Sequence, residues 1–368
     1  VAAACEAAAE ASLDWARLRI EERYEALQGL RGALEARSAE LAEAILLETG
    51  KIRAEAEGEV KALLGRFAMV RAAVESDLRE GPVPGFPGEQ LRYHALGVVG
   101  VIGPFNYPLH LCHAHAVPAM LMGNAVVVKG SDVTPLCAQV YAQAVEESGL
   151  PAGLYNMVQG QGDVGAALVT NERVRGICFT GSYEVGRRIT EAAVARPELL
   201  VALEMGGKNT VVVAEDADIR QAAHEIVVGG YLTTGQRCTC TDRVLIHRSR
   251  RDELIAALAP MVQSLRFGDA DDPHAFAGPM TTAAGRDAFW TACEAATSAG
   301  ADAVVAGGRL DRAGQFAKAS LHLLPEGCHH IEGYTDRELF GPDVSVETFE
   351  SDDEAIAVLQ ASPFGLAN

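Results

Sequence analysis

The chain has 368 residues, 31 of them Lys or Arg against 50 Asp or Glu, for a formal charge of −19; 49% are apolar and 22% charged. That balance argues against nucleic acid or an anionic membrane as partner. No apolar run reaches the roughly 18–20 residues of a membrane span, and the length suits two or three domains of an ordered α/β protein rather than a disordered chain.

Residues 1–78 read as helices, with Leu27, Leu30, Leu34, Leu41 and Ile45 at helical spacing and Gly50 placed to end one of them. Gly81-Pro-Val-Pro-Gly-Phe-Pro-Gly88 is rich in breakers and must be loop or turn. Beyond it short apolar runs alternate with helical stretches. The runs are Val98–Ile102, Ala125–Lys129, Leu154–Val158, Gly176–Thr180 and Leu199–Glu204; the helices lie near 109–122, 132–148, 164–169 and 183–195. Strand, polar or glycine turn, helix, strand is the pattern of a doubly wound parallel sheet, whose strands are apolar throughout because both faces are covered. Ligands of such sheets sit beyond the carboxyl ends of the strands. Asn106, Lys129, Gly160–Gly162 and Thr180–Ser182 all fall there. A second α/β stretch starts near Asn209-Thr-Val-Val-Val213. It is expected to hold helices at 219–234, 252–264 and 285–299 and strands at 243–247, 303–305 and 343–349. The boundary between the two falls near 205–208.

Eight cysteines are scattered along the chain, and no secretory apolar segment precedes the first helix. A reducing cytoplasm is therefore expected, where a cysteine is a buried small hydrophobe or a nucleophile and rarely half of a disulfide. Gly235-Gln-Arg-Cys-Thr-Cys240 has a single intervening residue and no second pair, which does not suit zinc; either cysteine is an inert thiol or one is a nucleophile. Glu204-Met-Gly-Gly-Lys208 puts a carboxylate at the end of a strand expected to be buried, where it is either paired with Lys208 or a general base raised by burial. Asn106, in Phe105-Asn-Tyr-Pro108, is a turn residue or an oxyanion donor. His110, Cys112, His113 and His115 resemble a metal cluster in composition. With no carboxylate nearby and an apolar helix around them they read as packing residues, and no metal is expected. Gly-x-Gly-x-x-Gly is absent after the first strand; Gly162 and Thr180-Gly181-Ser182 open helices where backbone N–H groups can meet a phosphate.

Taken together, Asn106, Lys129, Gly181-Ser182, Glu204-x-Gly-Gly-Lys, Gly235-Gln-x-Cys238 and Glu338-x-Phe-Gly-Pro342 resemble the aldehyde dehydrogenase superfamily in order and spacing, from about residue 10 to the end. Pro104-Phe-Asn-Tyr-Pro108, Ala202-Leu-Glu-Met-Gly-Gly207 and Gly235-Gln-Arg-Cys-Thr-Cys240 look most like its succinylglutamate semialdehyde dehydrogenase branch, which serves arginine catabolism. The resemblance implies a Rossmann-type dinucleotide-binding domain over 1–207, with an oligomerisation hairpin at 80–96, and a catalytic domain from 208 to 368. It implies NAD, with NADP as the alternative, and a homodimer or homotetramer acting on a small aldehyde. Cys238 would be the nucleophile, Asn106 with the Cys238 N–H the oxyanion donors, and Glu204 the base for hydrolysis of a thioester. Ile102, Gly103, Pro104 and Phe105 would line the cofactor. Lys129 and Asp132 would hold the adenosine ribose, Gly162, Thr180, Gly181 and Ser182 the pyrophosphate side, and Glu338 with Phe340 the nicotinamide end. Cys240 would only pack nearby.

The chain departs from the family in three places. It has Lys129-Gly-Ser-Asp132 for the usual Lys-Pro-x-Glu; an acid there still repels a 2′-phosphate and favours NAD. Phe364 stands for the usual Tyr. The family also continues past Phe364-Gly-Leu-Ala, so the catalytic domain is expected to be incomplete at its C-terminal end. The competing expectations are a CoA-acylating semialdehyde dehydrogenase, which has less use for Glu204, and a truncated non-catalytic relative. An anionic aldehyde should meet an arginine, and Arg237 is the one that adjacency to Cys238 offers.

Overall fold

Four helices open the chain: α1 (Ala2–Trp15), α2 (Ile20–Ala36), α3 (Ser38–Thr49) and α4 (Arg53–Asp77). The stripes that recur at three- and four-residue spacing are the ones buried, Leu27, Leu30 and Leu34 in α2 and Leu63, Phe67 and Val70 in α4. Helix α3 stops at Gly50, which adopts φ +74°, a left-handed conformation that glycine takes without strain. The computed structural model describes residues 1–78, 80–310 and 312–367. In the breaker-rich stretch a two-residue ribbon, β1 (Gly81–Pro82) with β2 (Gln90–Leu91), pairs antiparallel.

Strands and helices then alternate: β3 (Val98–Ile102), α5 (His110–Leu121), β4 (Ala125–Lys129), α6 (Pro135–Glu147), β5 (Tyr155–Val158), α7 (Gly162–Val169), β6 (Val174–Gly181), α8 (Tyr183–Ala193) and β7 (Leu200–Met205). All pairings are parallel in the order β5-β4-β3-β6-β7. The chain winds outward from β3 to β5, then returns to β6 on the other side, so the direction of winding reverses at β3. Strands β3 and β4 are buried at all five positions, as their apolar runs require. The edge strands depart from that expectation. β5 is half-buried throughout, and β7 alternates exposed and half-buried positions, with Leu200 52% exposed. Glu204 falls on the exposed side of β7. An apolar run does not by itself report whether a strand lies inside a sheet or at its border, where one face can meet water.

The remaining elements are β8 (Thr210–Val213), α9 (Ile219–Tyr231), β9 (Arg243–His247), α10 (Arg251–Ser264), α11 (Ala283–Ser298), β10 (Asp302–Val305), β11 (Gly308–Arg309), β12 (Ala317–Lys318), β13 (Ser320–Leu323), β14 (Asp343–Phe349) and α12 (Asp352–Gln360). Five of these strands form a sheet in the order β10-β13-β14-β9-β8, parallel except where β10 meets β13. Its core gathers Ile226, Val244, Ile246, Leu254, Leu258, Leu321, Val344 and Val346. The chain divides into two compact units, one of Val1–Glu48 with Ala54–Met205, the other of Thr49–Arg53 with Gly206–Asn368. Among the described residues no helix is long and apolar enough to cross a membrane.

Candidate active site

In the first unit the expected ligand residues gather at one edge of the sheet because parallel strands end together. Ile102 is the register partner of both Lys129 and Phe179, Lys129 pairs with Val158, and Thr180 with Glu204. The loop after β3 carries Gly103, Pro104, Phe105 and Asn106. A Cβ on Gly103 would lie 2.1 Å from the Cys112 sulfur, so glycine lets α5 approach the strand end. Asn106 is 5% exposed. Lys129 is buried and its Nζ donates to the Gly130 carbonyl at 3.1 Å. Gly165 faces it, with a Cβ there 3.8 Å from Lys129 Cδ and 3.9 Å from Ile102 Cδ1. Asp132 and Gly162 are exposed, and nothing lies within 4 Å of a Cβ placed on Gly162. Ser182 caps α8, its Oγ accepting from Val185 N at 3.4 Å.

The histidine-rich start of α5 is built into this unit by packing. His113 pairs through Nδ1 with the Tyr141 hydroxyl at 2.8 Å and meets the Phe67 ring edge-on at 4.9 Å. His115 Nε2 lies 3.0 Å from Thr180 Oγ1. Burial, with the charges of His110 and Arg66, pushes His113 down to about 3, and burial with Arg66 also lowers His115.

In the second unit the Cys238 loop is held by a residue that sequence reasoning passed over. Asn209 Nδ2 donates to the carbonyls of both Cys238 and Cys240 at 2.8 Å, fixing the Cys238–Thr239 and Cys240–Thr241 peptides. The sign of it in the sequence is a polar Asn at the mouth of an apolar strand, directly after Gly-Gly-Lys. Upstream, Thr233 and Thr234 both adopt φ of 56°, a costly conformation for β-branched residues, before Gly235 at 70°. A Cβ on Gly235 would lie 2.0 Å from the Gly341 carbonyl oxygen, so the loop lies against the Phe340-Gly-Pro342 backbone. Cys238 is half-buried; Cys240 is buried and its thiol is pushed up by that burial.

Arg237 does not play the role that adjacency offered it. Its guanidinium donates to the carbonyls of Val228 at 3.0 Å and Gly229 at 2.7 Å, and its Nε approaches Cys240 Sγ at 3.4 Å, so it ties the loop to α9. Lys208 likewise is not the partner of Glu204: its Nζ is 2.8 Å from Asp242, both groups buried. The two glycines before it serve Glu338. A Cβ on Gly206 would lie 2.0 Å from Glu338 Oε2, and Glu338 accepts from the backbone of Gly207. Burial and the nearby Asp242 push Glu338 up to about 7, and its Oε1 is buried without a hydrogen-bond partner among the described residues. Phe340, with φ 51°, turns the chain directly after it.

A further cluster went unread in the sequence. Cys293, His322 and Asp343 offer ligand-type atoms within 4.8 Å of one another, all buried. Asp343 accepts from Ser320 at 2.6 Å, from His322 at 2.7 Å and from the Tyr334 hydroxyl, so its oxygens are already satisfied by the core. The residues meet across β13, β14 and α11, a coincidence of long-range pairing that spacing does not reveal.

The aldehyde dehydrogenase family model matches residues 1–368. A curated N-succinylglutamate 5-semialdehyde dehydrogenase of Chromobacterium violaceum is 36% identical over 370 residues, covering 100% of this chain and 75% of its own length. One of Shigella flexneri is 35% identical over 370 residues, covering 99% and 74%. Among solved structures, lactaldehyde dehydrogenase from Escherichia coli superposes with a TM-score of 0.91 at 31% identity, over 98% of this chain and 75% of that one. Betaine aldehyde dehydrogenase from Staphylococcus aureus in complex with NAD+ gives 0.90 at 29%, over 98% and 73%.

Proposed function

The chain belongs to the aldehyde dehydrogenase family, and from that premise we propose that it oxidises an anionic semialdehyde, of the N-succinylglutamate 5-semialdehyde class, to the carboxylate with NAD. The names of relatives at 35–36% identity support the substrate class, and a neighbour holding NAD+ supports the cofactor. The observation that carries the reading is the Cys238 loop: a half-buried thiol whose flanking carbonyls are clamped by Asn209, on a strained turn seated against the Glu338–Pro342 segment.

In this reading the Cys238 thiolate adds to the aldehyde carbon. The Asn106 amide and the Cys238 N–H donate to the oxygen that becomes negative, each such donor being worth ~3–4 kcal/mol in related chemistry. NAD, when bound, supplies the acceptor for the hydride that turns the adduct into a thioester. Glu204 then takes a proton from water, which attacks the thioester carbon and expels the Cys238 thiolate, a base contribution of roughly 10²–10⁴-fold. The exposure of Glu204 gives it access to that water.

The residues present fit a dinucleotide. The partnerless Glu338 Oε1 is an acceptor that a ribose hydroxyl would satisfy, with Phe340 beside it for the ring. Lys129, Asp132, Gly162 and Thr180–Ser182 stand at the strand ends where Ile102–Phe105 begin their loop. Asp132 repels a 2′-phosphate and so favours NAD over NADP. All eight cysteines are free thiols. The β1–β2 ribbon presents Phe86 and Leu91 to solvent at 58% and 44% exposure, and we assign it to subunit pairing in a dimer or tetramer. NADH formation screened over aliphatic, aromatic and dicarboxylic semialdehydes, with and without CoA, tests the reading. Free acid formed without CoA is expected. Acyl-CoA as the product would replace water by a thiol acceptor, and no NADH with any aldehyde would overturn the activity.

A further inference from the structure

A semialdehyde of this class carries acid groups at a distance from its reacting carbonyl, and the cations near the proposed chemistry are occupied. Arg237 is tied to α9, Lys208 to Asp242, and Lys129 to the Gly130 carbonyl. Among the described residues the guanidinium groups of Arg66, Arg92, Arg220 and Arg337 make no ion pair or hydrogen bond. The last three are exposed, whereas Arg66 is half-buried and its Nε is shielded from water with nothing to donate to. A guanidinium in that state forfeits hydration without gaining an acceptor.

Its position follows from the helix that carries it. Glu59, Leu63, Phe67 and Val70 mark the buried face of α4. Glu59 accepts from the backbone of Leu109 at 3.0 Å and His110 at 3.1 Å, so α4 runs beside the start of α5, just after Asn106 and Tyr107. Phe67 touches His113, and the neighbouring Arg66 acts electrostatically on both His113 and His115. Those histidines are held neutral at pH 7, so the positive charge acting on them is that of Arg66. His115 in turn bonds Thr180, the register partner of Glu204. Arg66 thus lies in the same unit as the Asn106 loop and the Glu204 strand end, on a helix joined to them through Glu59, the Phe67–His113 contact and the His115–Thr180 bond.

We propose that Arg66 receives a carboxylate of the aldehyde substrate and sets the preference for acidic aldehydes. The inference rests on the aldehyde oxidation proposed above. A planar guanidinium matches a carboxylate with two parallel N–H donors, and in a half-buried setting that pairing is little screened.

The test uses glutarate semialdehyde against pentanal, which has the same chain length without the acid. Arg66→Gln is expected to lower the ratio of their kcat/KM values by ~10–100-fold, mostly through KM for the acidic aldehyde, and Arg66→Lys to recover part of it. Equal losses for both aldehydes, or no change in the ratio, would overturn the proposal. If Arg66→Gln does not fold, Arg66→Lys against wild type decides: it keeps the charge but loses the fork, so the ratio should fall ~3–10-fold, and an unchanged ratio counts against us. Glutarate binding by calorimetry separates the two levels of inference. Binding to wild type and not to Arg66→Gln supports the anion site even if no aldehyde is oxidised. Aldehyde turnover without glutarate discrimination refutes the site and leaves the activity standing.

Discussion

The two five-stranded sheets share an architecture and differ in what their central strands are made of. In the first unit β3 and β4 are buried at every position and contain Val, Ile, Ala and Gly, with Lys129 only at the last place. In the second unit β14 is also buried at all seven positions, yet Asp343, Ser345, Glu347 and Thr348 are among them. Each buried charge there has partners: Glu347 takes a two-pronged bond from Arg243 at 2.8 Å and 2.8 Å and a third from His329, and Asp343 takes Ser320, His322 and Tyr334. The first sheet has an apolar centre, and its candidate polar residues stand at the strand ends and in the loops beyond them. The second carries polar connections through its interior, and the same network continues through Lys208 and Asp242 to the residues that flank Glu338 and the Cys238 loop.

If that contrast is right, the largest effects lie in the second unit's loop. Cys238→Ala should abolish NADH formation, while Cys240→Ala, whose thiol is buried and bonded to Arg237, should keep activity within several-fold; equal loss in both would dissolve the distinction. Glu204→Gln, at the border of the first sheet, should still release a burst of NADH and then stall at the thioester, and undiminished steady turnover would assign the base elsewhere. Stability should separate the two interiors next. Glu347→Gln strands Arg243 in the core and should cost about 3–5 kcal/mol in denaturant unfolding, against about 2 kcal/mol for Val127→Ala in the apolar sheet. Equal costs would mean that the polar interior is not specially dependent on its pairs.

The smallest effect is a pH dependence at Glu338. A carboxyl raised from 4.5 to about 7 in the folded protein contributes stability that is fully present below about pH 4.5 and lost as pH rises through 7, no more than about 3 kcal/mol. The thermal midpoint of the ligand-free protein should therefore fall between pH 5 and 8 by more than in Glu338→Gln. Parallel pH curves for the two would show that Glu338 is ionised without penalty.

The first unit was the more legible in the sequence for the same reason that it is chemically plain. Apolar runs between glycine turns gave β3 and β4 to the residue, and the strand-end rule brought Asn106, Lys129 and Thr180 to one edge. The rule could not separate an inner strand from a border strand, so Glu204 was expected to be buried and is exposed. In the second unit β8, β9, β10 and β14 were legible, but Ser320-Leu-His-Leu323 was not read as a strand, because its polar residues are acceptable only once Asp343 lies opposite. Asn209, and the pairing of Lys208 with Asp242, depend on contacts 29–34 residues apart that no local pattern announces. Arg237 was misjudged for the complementary reason: nearness in sequence to the nucleophile says nothing about where a long, flexible side chain ends.

The short segment Thr49–Arg53 has an implication for how the protein is made. It belongs to the second unit, where the Thr49 carbonyl accepts from Thr281 and Arg53 bonds Asp271. Thr281 is added 232 residues after Thr49. At ~5–20 residues per second, these five residues leave the ribosome about 12–46 s before their partners exist. Translation therefore leaves this segment between the N-terminal helices without its partners until the second unit has been made through Thr281.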